Sequence, residues 1–285
     1  MNMQSISSNK QAFTRFARNK PSFSTNKYPK ISIITPSYNQ ALFIRKTIES
    51  ILNQNYPNLE YIIIDGGSTD GTISILKKYG SKITWKSEKD KGQTNAINKG
   101  FKMATGDILA YINSDDVYEK GAFFKVADYF QKNPKIWWTD GKCKIINEDD
   151  KEIRQWITAY KNYFLKRYSY NMLLVLDYIS PPAVFWRREV MDEFGLFDES
   201  QYYEMDYEYW LRIGKKYKQG FINDYLADFR IHTQSKTGQH FVRHYWQEFI
   251  VAKKYTQNPI LLSLHLINFL SIISSYSFLS FLKNE

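Results

Sequence analysis

From Lys30 onward, short apolar runs alternate with helix-like stretches, and this alternation limits the fold more than any other feature. "KISIIT" (30–35), "LEYIIID" (59–65), "KITWKS" (82–87) and "DILAYIN" (107–113) read as four strands. They are rich in Ile and Tyr and nearly continuous in apolar side chains, which suits strands covered on both faces, as in a parallel sheet. Residues 40–54, 70–79 and 92–104 read as the intervening helices. Asp70, ahead of Gly71 and Thr72, is placed to start one helix, and Gly106 to close another. Repeated strand–helix–strand units imply right-handed crossovers and a doubly wound α/β sheet.

In such a sheet, ligands bind beyond the carboxyl ends of the strands. Here those ends are polar: Thr35 to Asn39, Asp65 to Asp70, Ser87 to Asp90, and Asn113 to Asp116. One polar strand end arises by chance; four on one edge indicate a site.

Each cluster has a chemistry. Asp65 is followed by two glycines, which let a ligand approach the backbone, and its carboxylate can accept from a nucleobase N–H or ribose hydroxyls. A helix cap is the ordinary alternative, and it fits Asp70 better than Asp65. Lys91 and Gly92 stand at the mouth of a helix, where backbone N–H groups and the dipole favour phosphate. Asp115 and Asp116 repel each other unless a cation or donor neutralises them. Mg²⁺ is commonly held by one or two carboxylates plus substrate phosphate oxygens. A solvated turn is the bland reading, and the shared edge with a nucleotide-type pocket favours metal.

A second acidic cluster lies in "YYEMDYEYWLRIGKKY" (202–217). On a helix, Glu204, Glu208, Arg212 and Lys215 share one face, and a surface role accounts for the glutamates. Asp206 falls with Tyr209, Trp210, Ile213 and Tyr217 on the apolar face. A carboxylate there costs several kcal/mol unless paired or open to a cavity. Asp206 is therefore the candidate general base.

These residues together resemble the inverting GT-A glycosyltransferases of family 2 over about 30–235. The resemblance rests on "SIITPSYNQ", "IIIDGGSTDGT", "SEKDKGQTNAINKG", "YINSDD", "GLFDES", "EMDYEYWLRIG" and "FRIHTQSKT", in that order. It implies a GT-A fold, a mostly parallel twisted sheet flanked by helices, and a nucleotide-diphospho-sugar donor with Mg²⁺ or Mn²⁺. It implies that Pro36, Tyr38 and Asp65 hold the base and ribose. Asn113 and Asp115 occupy the positions of the family's Asp-x-Asp motif. Asn113 departs from the usual Asp, leaving Asp115 as the direct metal ligand and Asn113 near the ribose or metal. Asp206 aligns with the catalytic base, His232 with a residue near metal or diphosphate, and Lys236 with a phosphate contact. The resemblance also implies an acceptor that is a saccharide or lipid-linked saccharide, in cell-surface polysaccharide or glycolipid assembly. Nucleotidyl transfer and sugar-nucleotide binding without turnover are the alternatives.

The domain reading is a basic tail (1–28), a GT-A domain (29–235) and a C-terminal helical extension (236–285). Donor and acceptor halves divide the GT-A domain near 140. Aromatics at 150–190, including Trp156 and Tyr160, fit either a sugar-binding wall or a packed insert. Tyr202 and Tyr203 are the best acceptor contacts.

The net charge of +10 is uneven, with no acid before Glu49. The basic tail fits solvent, anionic lipid or an organelle transit peptide. No basic-aromatic repeat points to nucleic acid. Cys143 is the sole cysteine, excluding an intramolecular disulfide and reading as structural. No apolar N-terminal segment reads as a secretory signal, so the expected location is cytoplasmic, free or peripheral on the membrane's cytoplasmic face. Residues 259–282 carry no charge, yet serines interrupt them. Leu262, Leu266, Phe269, Ile273 and Tyr276 share a helical face, which favours a helix on an anionic membrane surface or packed on protein over a span.

Overall fold

The computed structural model describes residues 27–233 and 241–283. The first half alternates as expected: β1 (Ile31–Ser37), α1 (Ile44–Leu52), β2 (Leu59–Asp65), α2 (Thr72–Lys77), β3 (Thr84–Ser87), α3 (Gln93–Met103) and β4 (Ile108–Tyr111). A short β5 (Val117–Tyr118) and α4 (Ala122–Lys132) lead into β6 (Trp138–Ile146). Then come α5 (Gln155–Leu165), α6 (Tyr170–Leu173), β7 (Val184–Arg187), α7 (Arg188–Phe194), α8 (Met205–Gly214) and β8 (Gly220–Arg230). Two helices close the chain, α9 (Phe241–Tyr255) and α10 (Pro259–Lys283).

The eight strands form one sheet in the order β3-β2-β1-β4-β7-β6-β8-β5. β3, β2, β1 and β4 are parallel, while β7 runs against both β4 and β6. The sheet is mixed because β7 enters between two strands of the opposite sense. Side chains alternate between two cores: Ile34, Ile62, Ile64, Leu109 and Tyr111 on one face, Ile31, Ile33, Ile63, Ile108 and Ala110 on the other. Helices cover both faces, which explains why every residue of β1 and β4 is buried.

Two expectations change. "TWKS" is not covered on both faces: β3 is the sheet's outer strand and mostly exposed. Gly106 does not close the helix; α3 ends at Met103 with Ala104 as its cap. A Cβ at Gly106 would lie 2.5 Å from Ser32 Oγ and 2.7 Å from Ser32 N, so close packing on β1 requires the glycine.

Cys143 is buried and free within β6, as a structural residue would be.

Candidate active site

In-register pairing sets the ends of β1, β2 and β3 side by side, with Ser37 opposite Asp65 and Asp65 opposite Ser87. Tyr111 pairs with Ile34 of β1, so the acidic turn after β4 emerges at the same edge. Beyond this edge lies a cavity of about 1060 Å³. Pro36, Tyr38, Gly92, Asn113, Asp115, His232 and Asp206 all line it. Most of the residues singled out from sequence are therefore brought together. Lys236 and the tail before residue 27 lie outside the described residues.

The acidic turn divides its two carboxylates. Asp116 is fully buried and accepts from Arg230 N at 2.8 Å and Asn113 Nδ2 at 3.1 Å. Burial, with repulsion from Asp115, raises its pKa well above the carboxylate range. Asp115 instead lines the cavity, where its Oδ2 lies 2.9 Å from His232 Nε2. His232 packs on the Phe43 ring at 4.7 Å. Arg230 locks the turn: its Nε donates to the Asp115 carbonyl at 2.7 Å and Nη1 to the Asn147 carbonyl at 2.6 Å. Its Nη2 lies 2.6 Å from Asp150, whose pKa is lowered. Gln93 Nε2 holds the Asn113 amide oxygen at 2.6 Å.

Two phosphate- and base-side assignments shift. Asp65 is fully buried and does not line the cavity. Gly67 N, Ser68 N, Ser68 Oγ and Ser87 Oγ donate to its carboxylate at 2.5–3.0 Å. A carboxylate in that position must be bonded, and its own loop supplies the nearest donors. Gly66 and Gly67, which it organises, form the wall instead. Lys91 is exposed and likewise absent from the wall; its charge lies near Glu199. Asp90 accepts from Gly92 N at 2.8 Å, and Gly92 takes φ +108, a turn that leaves Lys89 on the cavity side. Asp70 does act at its helix start, accepting from Thr72 N at 3.0 Å.

Asp206 sits in the first turn of α8, where a negative charge is favourable. It is half-buried, with its Oδ1 accepting from Tyr207 N at 2.9 Å. Tyr111 Oη stands 3.5 Å from Oδ2, and burial followed by the nearby Asp206 raises the Tyr111 pKa well above its usual value. Tyr202, Tyr203, Trp156 and Tyr160 also border the cavity. Tyr178 and Trp186 are core residues.

The solvated-face reading of Glu204 and Glu208 is overturned, because α9 covers that face. Glu208 is buried between Arg212, at 2.7 Å, and Tyr255 of α9. Glu204, 1% exposed, pairs with His244 of α9. Asp177, Glu204 and Glu248 set carboxylate oxygens within 4.8 Å of one another. Burial pushes Asp177 up to about 6, with Asp206 adding to the shift, and raises Glu248 well above its usual range.

Sequence reasoning missed Tyr111, Arg230, Asp177, Glu248 and the cavity-lining residues of α9 and α10. Tyr111 read only as the last apolar residue of a strand. The others become neighbours of the site only through packing between distant segments.

Among the described residues, no helix is long and apolar enough to cross a membrane. The C-terminal helices pack on the domain: His265 reaches the Leu174 carbonyl at 2.8 Å, and Phe249 faces His265 at 5.7 Å.

A family model described as "Glycosyl transferase family 2" matches residues 32–194. An uncharacterized glycosyltransferase of Rickettsia typhi is 30% identical over 218 residues, 73% of this chain and 66% of the relative. The poly-beta-1,6-N-acetyl-D-glucosamine synthase of Staphylococcus epidermidis is 32% identical over 121 residues, 41% of this chain and 29% of that enzyme. By structure, S. aureus TarS 1-349 in complex with UDP-GlcNAc matches with a TM-score of 0.64. That match covers 83% of this chain and 71% of TarS 1-349 at 18% identity, so it bears on fold alone.

Proposed function

The chain belongs to glycosyltransferase family 2, and from that premise we propose that it moves a sugar from a nucleotide-diphospho-sugar to an acceptor hydroxyl with inversion. One observation carries the reading. The Asp206 carboxylate and the Asp115–His232 pair face a single cavity large enough for a nucleotide sugar and an acceptor together.

Donor binding falls to the strand-end side of the cavity. Pro36 and Tyr38 border the base and ribose, and Asp65 acts by shaping the loop of Gly66 and Gly67. Lys89 and the Gly92 end of α3 lie toward the phosphates. Asp115 and His232, a carboxylate oxygen and an imidazole nitrogen 2.9 Å apart on the cavity wall, are donors of the kind that would hold a divalent cation. Mg²⁺ or Mn²⁺ held there would supply positive charge against the diphosphate. Asn113, fixed by Gln93, stands beside the pair.

Asp206 accepts the proton of the acceptor hydroxyl. The hydroxyl oxygen bonds to the anomeric carbon from the face opposite the diphosphate. The bond to the diphosphate oxygen breaks, and the nucleoside diphosphate leaves with the electron pair. Tyr111 orients the carboxylate. The acceptor is a saccharide, bordered by Tyr202, Tyr203 and Trp156, and the likeness to the polysaccharide synthase supports a place in cell-surface polysaccharide assembly. Residues 29–140 serve the donor, joined by His232, and most of 141–235 serves the acceptor.

The experiment is a thermal-shift screen of nucleotide sugars, UDP-GlcNAc first, with Mn²⁺. A binding sugar nucleotide at about 100 times its Kd adds about 2.7 kcal/mol, a shift on the order of 5 °C. Asp115→Ala should abolish the Mn²⁺-dependent part. An unchanged metal dependence removes Asp115 from its role; in a separate turnover assay, release of pyrophosphate in place of nucleoside diphosphate would point to nucleotidyl transfer.

A further inference from the structure

The C-terminal helices have two faces, and only one is covered. On α10 the inward face carries Leu262, His265, Leu266 and Phe269, packed over α9 and the Leu174 carbonyl. Of the two readings of this apolar stripe, membrane surface or protein packing, its described residues 262–269 take the second. The outward face is different. Ile260, Leu264, Ile267 and Leu270 are 46–69% exposed at helical spacing, interleaved with serines. α9 adds Trp246 and Ile250, 49% and 45% exposed, on its solvent side.

Two further observations identify what covers this surface. Across the described side chains 243–274, every exposed charged residue is basic: Arg243, Lys253 and Lys254. The single acid of that stretch, Glu248, is buried toward the cavity. The flank of α10 between its two faces, at Asn268, Ser271 and Ile272, lines the cavity itself. An apolar, Trp-bearing face with a basic rim matches an anionic lipid surface. A second copy of the chain would bring two positive rims together.

We propose that the outer face of the α9–α10 hairpin docks on an anionic bilayer, with the acceptor end of the cavity held at the lipid surface. The orientation of the cavity rests on the proposed transfer site; the docking does not, so the two can fail separately.

Flotation of the full chain with phosphatidylcholine vesicles, with and without phosphatidylglycerol, tests it at low salt. The protein should float only with the anionic vesicles. Ile267→Glu with Leu270→Glu should reduce binding at least tenfold, on the order expected for placing two charges at an apolar contact. Lys253→Gln with Lys254→Gln, at exposed positions, should reduce it about 25-fold, a factor of about five for each positive charge lost near the surface. Circular dichroism melts confirm that each variant is folded. Failure of the wild type to float overturns the proposal. So does undiminished flotation of Ile267→Glu with Leu270→Glu, or a dimer in light scattering that this variant dissociates without altering flotation.

Discussion

Two polar clusters beside the cavity are built on opposite principles. Around the strand ends, charges are matched locally: Asp65 is saturated by its own loop and Ser87, and Arg230 pins the acidic turn through Asp115, Asn147 and Asp150. Under α9, Asp177, Glu204 and Glu248 crowd together, and burial raises the pKa of Asp177 and Glu248. One cluster is held by hydrogen bonds; the other gathers mutually repelling acids near Asp206.

The sharpest way to break this contrast is at the base. Asp206→Asn should lower transfer by about 10²–10⁴-fold while thermal stabilisation by donor and Mn²⁺ is kept. Retained transfer would move the base to another member of the acidic group.

Next in size comes Arg230→Met, which should cost about 3 kcal/mol, because it strips partners from buried carbonyls and from Asp150. Denaturant unfolding measures it, and a loss under ~0.5 kcal/mol, the scatter of ordinary surface changes, would show that the turn holds without its clamp.

The acidic cluster under α9 should respond with the opposite sign. Asp177 keeps its proton up to about pH 6 in the fold, whereas an unfolded aspartate releases it near 3.9. Its contribution is therefore fully present below about pH 4 and is lost as pH rises through about 6. Asp177→Asn, which mimics the protonated form, should add about 2 kcal/mol at pH 7 and almost nothing at pH 4. Melts at both pH values read the difference, and a destabilised variant at pH 7 would show that Asp177 is charged and paired.

The same contrast explains what could be read from the chain. β1, β2 and β4 were legible because burial on two faces writes itself as continuous Ile-rich runs. The helix of Asp206 was legible by its period, and so was the suspicion falling on an acid among aromatics. Lys91 misled because adjacency to a helix start does not fix a side chain's direction; the turn at Gly92 does. Glu204 and Glu208 misled because a polar helix face looks solvated until another helix covers it. For α10 the period alone left membrane surface and protein packing open, and tertiary packing placed its most apolar stripe toward the protein's interior.

Sequence by itself determined the doubly wound sheet and the edge where its chemistry gathers, since strand burial and loop polarity are local properties. The residue pattern left Asp115 and Asp116 equivalent; the resemblance favoured Asp115, and the physical reason lies in three dimensions. Asp116 is turned inward by Arg230, 114 residues away, and no local pattern encodes that distance. The proton-holding group under α9 has the same origin: charges from separate segments share one dry space, where the field between them depends on packing alone.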